Sequence, residues 1–461
     1  MMGPRHVAQS SLFYEFSLDA HVPNDHVLRD IDRFVELSDL RRELVPFYSP
    51  IGRPSIDPEL MIRMLLVGYI MGIRSERRLC QEVHLNLAYR WFCRLDLTDP
   101  IPDHSTFSKN RHGRFRDSDL LRHLFETVVA RCIAEGLVGG ERFAVDASII
   151  RADANKQNAT PIDEWPTDKL DPASVPRAVR EYIETLDDAA FGAATEKTPK
   201  FTSHSDPASQ WTGALKGPAF FAYADNYLID TDNAIIVDVE ATRAVRQAES
   251  GAARTMIDRT LDRFGLYPEA LAADTAYGSA DMLGWLVEER GIEPHIPVFS
   301  KAARKDGAFP ATDFMYDHHA DAYTCPGGKL LKPYWRDIKH ERPEFGADGF
   351  KRYFARTQDC EACKLKPHCT PNQPTRKISR HRFEGARQMA RDIAKTDAYV
   401  ASSCARKKVE MLFAHLKRIL GLGRLRLRGP CGARDEFLLA ATAQNLRKLA
   451  KLIPQGRSAP A

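Results

Sequence analysis

The chain lacks a hydrophobic run long enough to cross a bilayer. Its longest apolar stretch, Leu60 to Ile73, is interrupted by Arg63 and falls short of the roughly 20 residues that a membrane helix needs. It also lacks an apolar segment behind a basic start, the mark of a secretory signal, so the expectation is a cytoplasmic protein with no membrane partner. Cysteine is sparse: nine residues, an odd number, of which five are scattered singly. Without an export signal, that usage argues against a disulfide framework. A strong net charge is missing too, at +4 overall. What remains is an ordinary soluble composition, 43% hydrophobic and 28% charged, over 461 residues; that length allows two or three domains with a sizeable core.

The near-neutral total hides an asymmetry. From Ala401 onward there are 13 Lys/Arg against 3 Asp/Glu, a net of +10, so the first 400 residues carry −6. A basic segment on a near-neutral body fits either a solvated tail or a polyanion partner.

Residues 1–125 read as mostly helical. Asp57-Pro58 is a helix start, with Asp as N-cap and Pro in the first turn, and Leu60, Met64, Leu65 and Gly68 follow at helical spacing. Arg74, Arg77 and Arg78 lie on the continuation, and Pro100-Ile-Pro102-Asp103-His104-Ser105-Thr106 is a loop that opens another helix. Residues 152–215 form a loop-rich insertion with one helix from Val175 to Leu186. Two strands, Ala219–Ile229 and Ala234–Thr242, are joined by a short turn and predict a hairpin. A helix from about Ala248 to Phe264 stops at Gly265. The strand Ala270–Asp274, a helix capped by Ser279 and running to Gly291, and the strand Glu293–Phe299 complete a mixed α/β sheet. From 300 to 375 the pattern breaks into an inserted Cys-rich subdomain, and from 376 to 461 helical periodicity returns. The catalytic core is thus expected over 126–299 and 376–461.

Three acids stand out. Phe143-Ala-Val-Asp-Ala-Ser-Ile-Ile-Arg151 alternates as a strand, and an acid in its middle, Asp146, is costly to bury unless paired or metal-bound. Asp274 ends a second strand, where functional groups of open α/β sheets collect, although an Asp there can equally cap the following turn. Glu410 sits beside the helical stripe Val409, Leu412, Phe413, Leu416, Ile419 and Leu420, with Arg406 and Lys417 on the same flank. Taken singly, Glu410 reads as an exposed acid among cations; taken together, three carboxylates make a pocket for Mg²⁺ or Mn²⁺, with neighbouring cations to hold phosphates.

In this arrangement the chain resembles a DDE transposase of a bacterial insertion sequence. Val145-Asp146-Ala-Ser148-Ile-Ile-Arg151 is similar to the family's first-acid motif, and Ala273-Asp274-Thr-Ala-Tyr277-Gly278 to its second. Arg406, Glu410 and Lys417 meet its Arg-x3-Glu-x6-Lys signature, with Ser403 where many members have Tyr. Gly52-Arg-Pro54-Ser55-Ile-Asp57-Pro58 and Gly72-Ile-Arg74-Ser75-Glu-Arg77-Arg78 resemble the helical domain that precedes the core. The resemblance implies a ribonuclease-H-like fold and metal-dependent phosphodiester hydrolysis at transposon ends. It further implies strand transfer of the 3′-hydroxyl into target DNA. Asp146, Asp274 and Glu410 would be catalytic metal ligands, and Arg406, Lys417, Arg74, Arg77 and Arg78 DNA contacts. A homodimer on DNA, nucleoid-associated in the cytoplasm, follows as well. An inactive DNA-binding regulator derived from such an enzyme, or a ribonuclease-H-like nuclease without strand transfer, are the alternative readings. Cys325, Cys360, Cys363 and Cys369 offer four thiolates for a structural Zn²⁺, or stay as reduced, unliganded thiols.

Overall fold

Helix starts follow their caps. In this computed structural model, which describes residues 16–49, 51–52, 55–165, 171–191, 199–213, 217–299, 308–335 and 343–454, Asp57 accepts the Glu59 N–H and opens the helix Pro58–Ile70. Ser75 caps Glu76–Leu85 and Asp103 caps His104–Arg111. Arg53 and Pro54 of the N-terminal motif lie outside the described residues. No described helix is long and apolar enough to cross a membrane.

The chain divides into two compact units. The first takes in residues 1–140, 146–266 and 408–461. Its strands are the second half of β1 (Arg142–Arg151), β2 (Ala159–Pro161), β3 (Phe201–Ser203), β4 (Gln210–Thr212), β5 (Phe220–Asp230) and β6 (Ile235–Arg243). The expected hairpin is β5–β6, antiparallel, with a register shift at Leu228/Ile229; β4 pairs antiparallel with Phe220–Ala222 at the start of β5. Both faces of β5 are buried, because helices cover each one. The helix Arg246–Phe264 packs on β5 and β6 and ends at Gly265, whose φ of +65° is a left-handed cap suited to glycine.

At the centre of this unit lies the helix Gly429–Leu452. It meets β6 and the helices Val27–Asp32, Pro58–Ile70, Leu120–Ala134 and Arg177–Glu184. Polar residues on it are spent inward: Asn445 accepts the Ile236 N–H and donates to the Ile236 carbonyl, and Gln444 accepts from the Tyr227 hydroxyl. Each satisfies a group that burial would otherwise penalise.

The second unit takes in residues 141–145 and 267–407. Here the first residues of β1 pair in parallel with β7 (Ala270–Ala272), and β7 pairs in parallel with β8 (Glu293–His295). The strand expected to reach Phe299 stops at His295, and the helix expected to reach Gly291 is Ala280–Gly284 followed by a π-turn, Trp285–Glu289. Residues 300–375 read from sequence as a broken pattern. Their described part instead supplies most of an antiparallel meander: β9 (Met315–Asp317), β10 (Ala322–Thr324), β11 (Leu330–Lys332), β12 (Phe350–Ala355) and β13 (Lys377–His381), in spatial order β13-β12-β11-β10-β9. Phe314, Tyr323, Leu331, Tyr353 and Ile378 form its core.

Asp206, in the first unit, is fully buried. Its Oδ1 accepts the Tyr223 hydroxyl while Oδ2 has no hydrogen bond. Burial pushes its carboxyl up to about 7, with the Tyr223 bond working against the shift. The folded state therefore keeps a proton that the unfolded chain releases near the ordinary carboxylate value, and this contribution to stability is lost as pH rises through about 7. Asp206→Asn keeps an acceptor for Tyr223 and removes the titration. Urea denaturation across pH 4 to 8 should show a flatter stability profile than wild type, with the gain at the alkaline end.

Candidate active site

The geometry around each acid begins with its strand or helix. Asp146 is half-buried near the middle of β1, with Oδ1 accepting the Ala147 N–H at 2.8 Å. Its neighbours Ala144 and Ser148 are buried. The parallel register of β1 with β7 ends at Ala144↔Ala272. On each strand the acid is the second residue beyond that pair: Asp146 on β1, and Asp274 past the end of β7. Asp274 is the N-cap of the turn Thr275–Tyr277, its Oδ1 taking the Ala276 N–H at 2.7 Å. The capping role weighed from sequence is therefore present, and it leaves Oδ2 outside that bond.

Gly278 closes the turn under tight constraint. A Cβ there would stand 2.0 Å from the Pro297 carbonyl oxygen, and the Gly278 carbonyl accepts the Phe299 N–H at 2.8 Å. Close approach of two backbones, rather than an unusual φ, explains the glycine of this motif.

Glu410 is exposed on the helix Asp397–Arg418. The stripe expected to dock this helix is real for Val409, Leu412, Phe413 and Leu416, all buried. Phe413 stacks on Tyr227 of β5 with centroids 4.7 Å apart and planes 20° from parallel. Ile419 departs from it: the helix ends at Arg418, and the side chain is 54% exposed. Arg406 is half-buried one turn before Glu410. Lys417 is also half-buried; desolvation lowers its pKa, opposed by the charge of Asp225.

Asp225 was not singled out from sequence. It sits on β5, fully buried, and neither carboxylate oxygen has a hydrogen-bond partner. Burial pushes its carboxyl well above the usual range, against the pull of Tyr227 and of the Lys417 ammonium.

Two other groups of predicted residues separate on inspection. Arg77 and Arg78 are exposed, with Arg78 paired to Glu82 one turn on. Arg74 is not a surface group: its side chain is 8% exposed and paired with the buried Glu436, so its fork is taken up within the protein. Cys325, Cys360, Cys363 and Cys369 line one cavity of about 30 Å³. Cys325-Pro-Gly-Gly-Lys329 turns so that the Lys329 N–H points at the Cys325 sulfur at 3.3 Å, and the Gly328 N–H reaches the Cys325 carbonyl.

Among the described residues, no three or more His, Cys, Asp or Glu side chains come together as a group able to hold a metal ion. The donor chemistry nonetheless sorts cleanly. Carboxylate oxygens suit a hard Mg²⁺, and thiolates suit zinc.

Residues 16–113 match a family described as "Transposase domain (DUF772)", and residues 324–450 match one described as "Transposase DDE domain". The second span includes Glu410 and the four cysteines but neither Asp146 nor Asp274. No curated protein and no solved structure matches the chain.

Replacing Gly278 by Ala forces the Pro297 carbonyl or the Asp274 turn to move, which overpacking precedents put at about 1–3 kcal/mol. Thermal melting should show that loss.

Proposed function

We propose that this chain, whose residues 16–113 and 324–450 match two transposase families, acts as a DDE transposase of an insertion sequence with Asp146, Asp274 and Glu410 as its catalytic acids. The observation that carries this reading is the parallel register of β1 and β7, which leaves Asp146 and Asp274 equivalent positions two residues past Ala144 and Ala272. The hairpin β5–β6 followed by the parallel strands β7 and β8 supports a ribonuclease-H-like core, the fold that a DDE domain implies.

The three carboxylates would hold Mg²⁺ or Mn²⁺. Bound there, the metal supplies Lewis-acid activation of the attacking oxygen and stabilises the leaving oxygen. The chain's own part is to orient the scissile phosphate, with Arg406 and Lys417 as its cationic neighbours. A water oxygen then forms a bond to phosphorus while the 3′-oxygen departs and takes up a proton. The freed 3′-hydroxyl next attacks a phosphodiester of target DNA, exchanging one P–O bond for another. Two ends must be paired for this, so two copies of the chain act together.

The four thiols are assigned a separate role, a structural zinc that ties together β10, β11 and the Cys360–Cys369 segment. The lining of one cavity by all four and the N–H···S contact support it, since thiolate ligands bind Zn²⁺ in fours.

Nicking of a duplex copied from the DNA bordering the gene, in Mg²⁺ or Mn²⁺, tests the acids. Asp146→Asn, Asp274→Asn and Glu410→Gln should each lower the rate by about a hundredfold or more, as several kcal/mol of lost transition-state stabilisation requires. A variant that nicks at the wild-type rate removes that residue from the site. Elemental analysis of the purified chain should find about one zinc per molecule. Cys360→Ser should lose that zinc and melt earlier; zinc-free wild-type protein would leave the thiols as unliganded core groups.

A further inference from the structure

Between the helices Asp397–Arg418 and Gly429–Leu452 runs a short connecting segment, Gly423-Arg424-Leu425-Arg426-Leu427-Arg428, which bends at Arg426 and Leu427. Its side chains alternate: Leu425 is buried and Leu427 half-buried, while all three arginines are exposed. The segment is fixed in place by its backbone. The Leu425 N–H donates to the Arg151 carbonyl at 2.8 Å, and Arg424 bridges Arg151 in parallel beside the end of β1. The Arg426 and Leu427 N–H groups both donate to Glu436 Oε1 at 2.6 Å. Asp153 anchors the two outer arginines, Arg424 at 2.8 Å and Arg428 at 2.9 Å. The two outer guanidiniums thus meet on one carboxylate. Arg426, the middle one, makes no side-chain hydrogen bond or ion pair among the described residues.

Arg426 also forms one wall of a cavity of about 270 Å³ in the same unit, with Arg77, Arg74, Arg111 and His104 around it. Four guanidiniums face two carboxylates, Glu76 and Glu436. Arg111 is 4% and Arg74 8% exposed; each is ion-paired, yet the Nε of each is buried without a hydrogen bond. Buried N–H groups are rarely left without an acceptor, and here two of them belong to side chains lining one cationic cavity. An anionic oxygen is the acceptor that such a cavity favours, and a guanidinium fork matches a phosphate.

We propose that Arg426 and Arg77, exposed at this cavity, bind the phosphate backbone of duplex DNA, with Arg111 as the fixed floor. The inference rests on the DNA-acting reading above, and it uses none of the three acids. Contacts of this kind position a duplex without reading its bases.

The test titrates the full-length protein with two duplexes, one copied from the DNA bordering the gene and one of scrambled sequence, over a series of KCl concentrations. Arg426→Ala should weaken binding to both by the same factor, about tenfold for one charge-assisted contact. It should also reduce the slope of log affinity against log salt by about 0.9. Arg426→Lys should restore the slope, because the charge remains. Thermal melting of Arg426→Ala should match wild type, since the side chain is exposed. Unchanged affinity and slope in Arg426→Ala overturn the interface, and so does a loss confined to one sequence with the slope intact. Wild-type protein that binds neither duplex overturns the DNA-acting reading beneath it.

Discussion

The buried carboxylate of Glu436 joins parts of the first unit that are far apart in sequence. One oxygen accepts two consecutive backbone N–H groups, those of Arg426 and Leu427, while the other meets the guanidinium of Arg74. At 1% exposure this charge would be ruinous alone, and removing one partner from such a pair typically costs about 3–5 kcal/mol. The three donors make it tolerable, and in return they fix Arg74 and the segment Arg424–Arg428 against the central helix. The other polar residues of that helix follow the same logic. Asn445 holds β6 at Ile236, and Gln444 holds Tyr227 and, through its Nε2, the Leu412 carbonyl.

The helix that carries Glu410 is positioned by the opposite means. Its inner stripe is apolar, and Phe413 lies flat on Tyr227, so packing sets its rotation. Once Val409 and Phe413 face inward, Glu410 must turn outward, because neighbouring helical residues point about 100° apart. Burial of the stripe thus dictates which way the acid points. On the strand side, the register of β1 and β7 does the corresponding work for Asp146 and Asp274.

What the sequence disclosed was whatever repeats or caps locally. Asp57-Pro58, Ser279 and Gly265 mark real helix ends, and the strands on either side of Asp230–Asn233 pair as expected. Three-residue strands such as β9, β10 and β11 escaped because so few residues cannot display an alternation. The burial of Arg74 was hidden for a different reason. Its partner Glu436 is 362 residues away, and no local signal reports it. Asp225, by contrast, was within reach: it interrupts the apolar run Phe220–Asp230 just as Asp146 interrupts β1. The alternation in Arg424-Leu-Arg-Leu-Arg428 was equally visible and reads, in hindsight, as one buried face and one cationic face.

The position of the central helix along the chain has a consequence for synthesis. Helices formed from residues 27–134 bury their apolar faces on residues 429–452, which leave the ribosome long after them. Contacts of such long sequence separation form slowly and leave earlier segments exposed meanwhile. A chain cut short before Gly429 would lose more than that one helix. It would keep Asp146, Asp274 and Glu410 yet lack the common surface on which the N-terminal helices settle, so synthesis of this helix acts as a checkpoint on the fold.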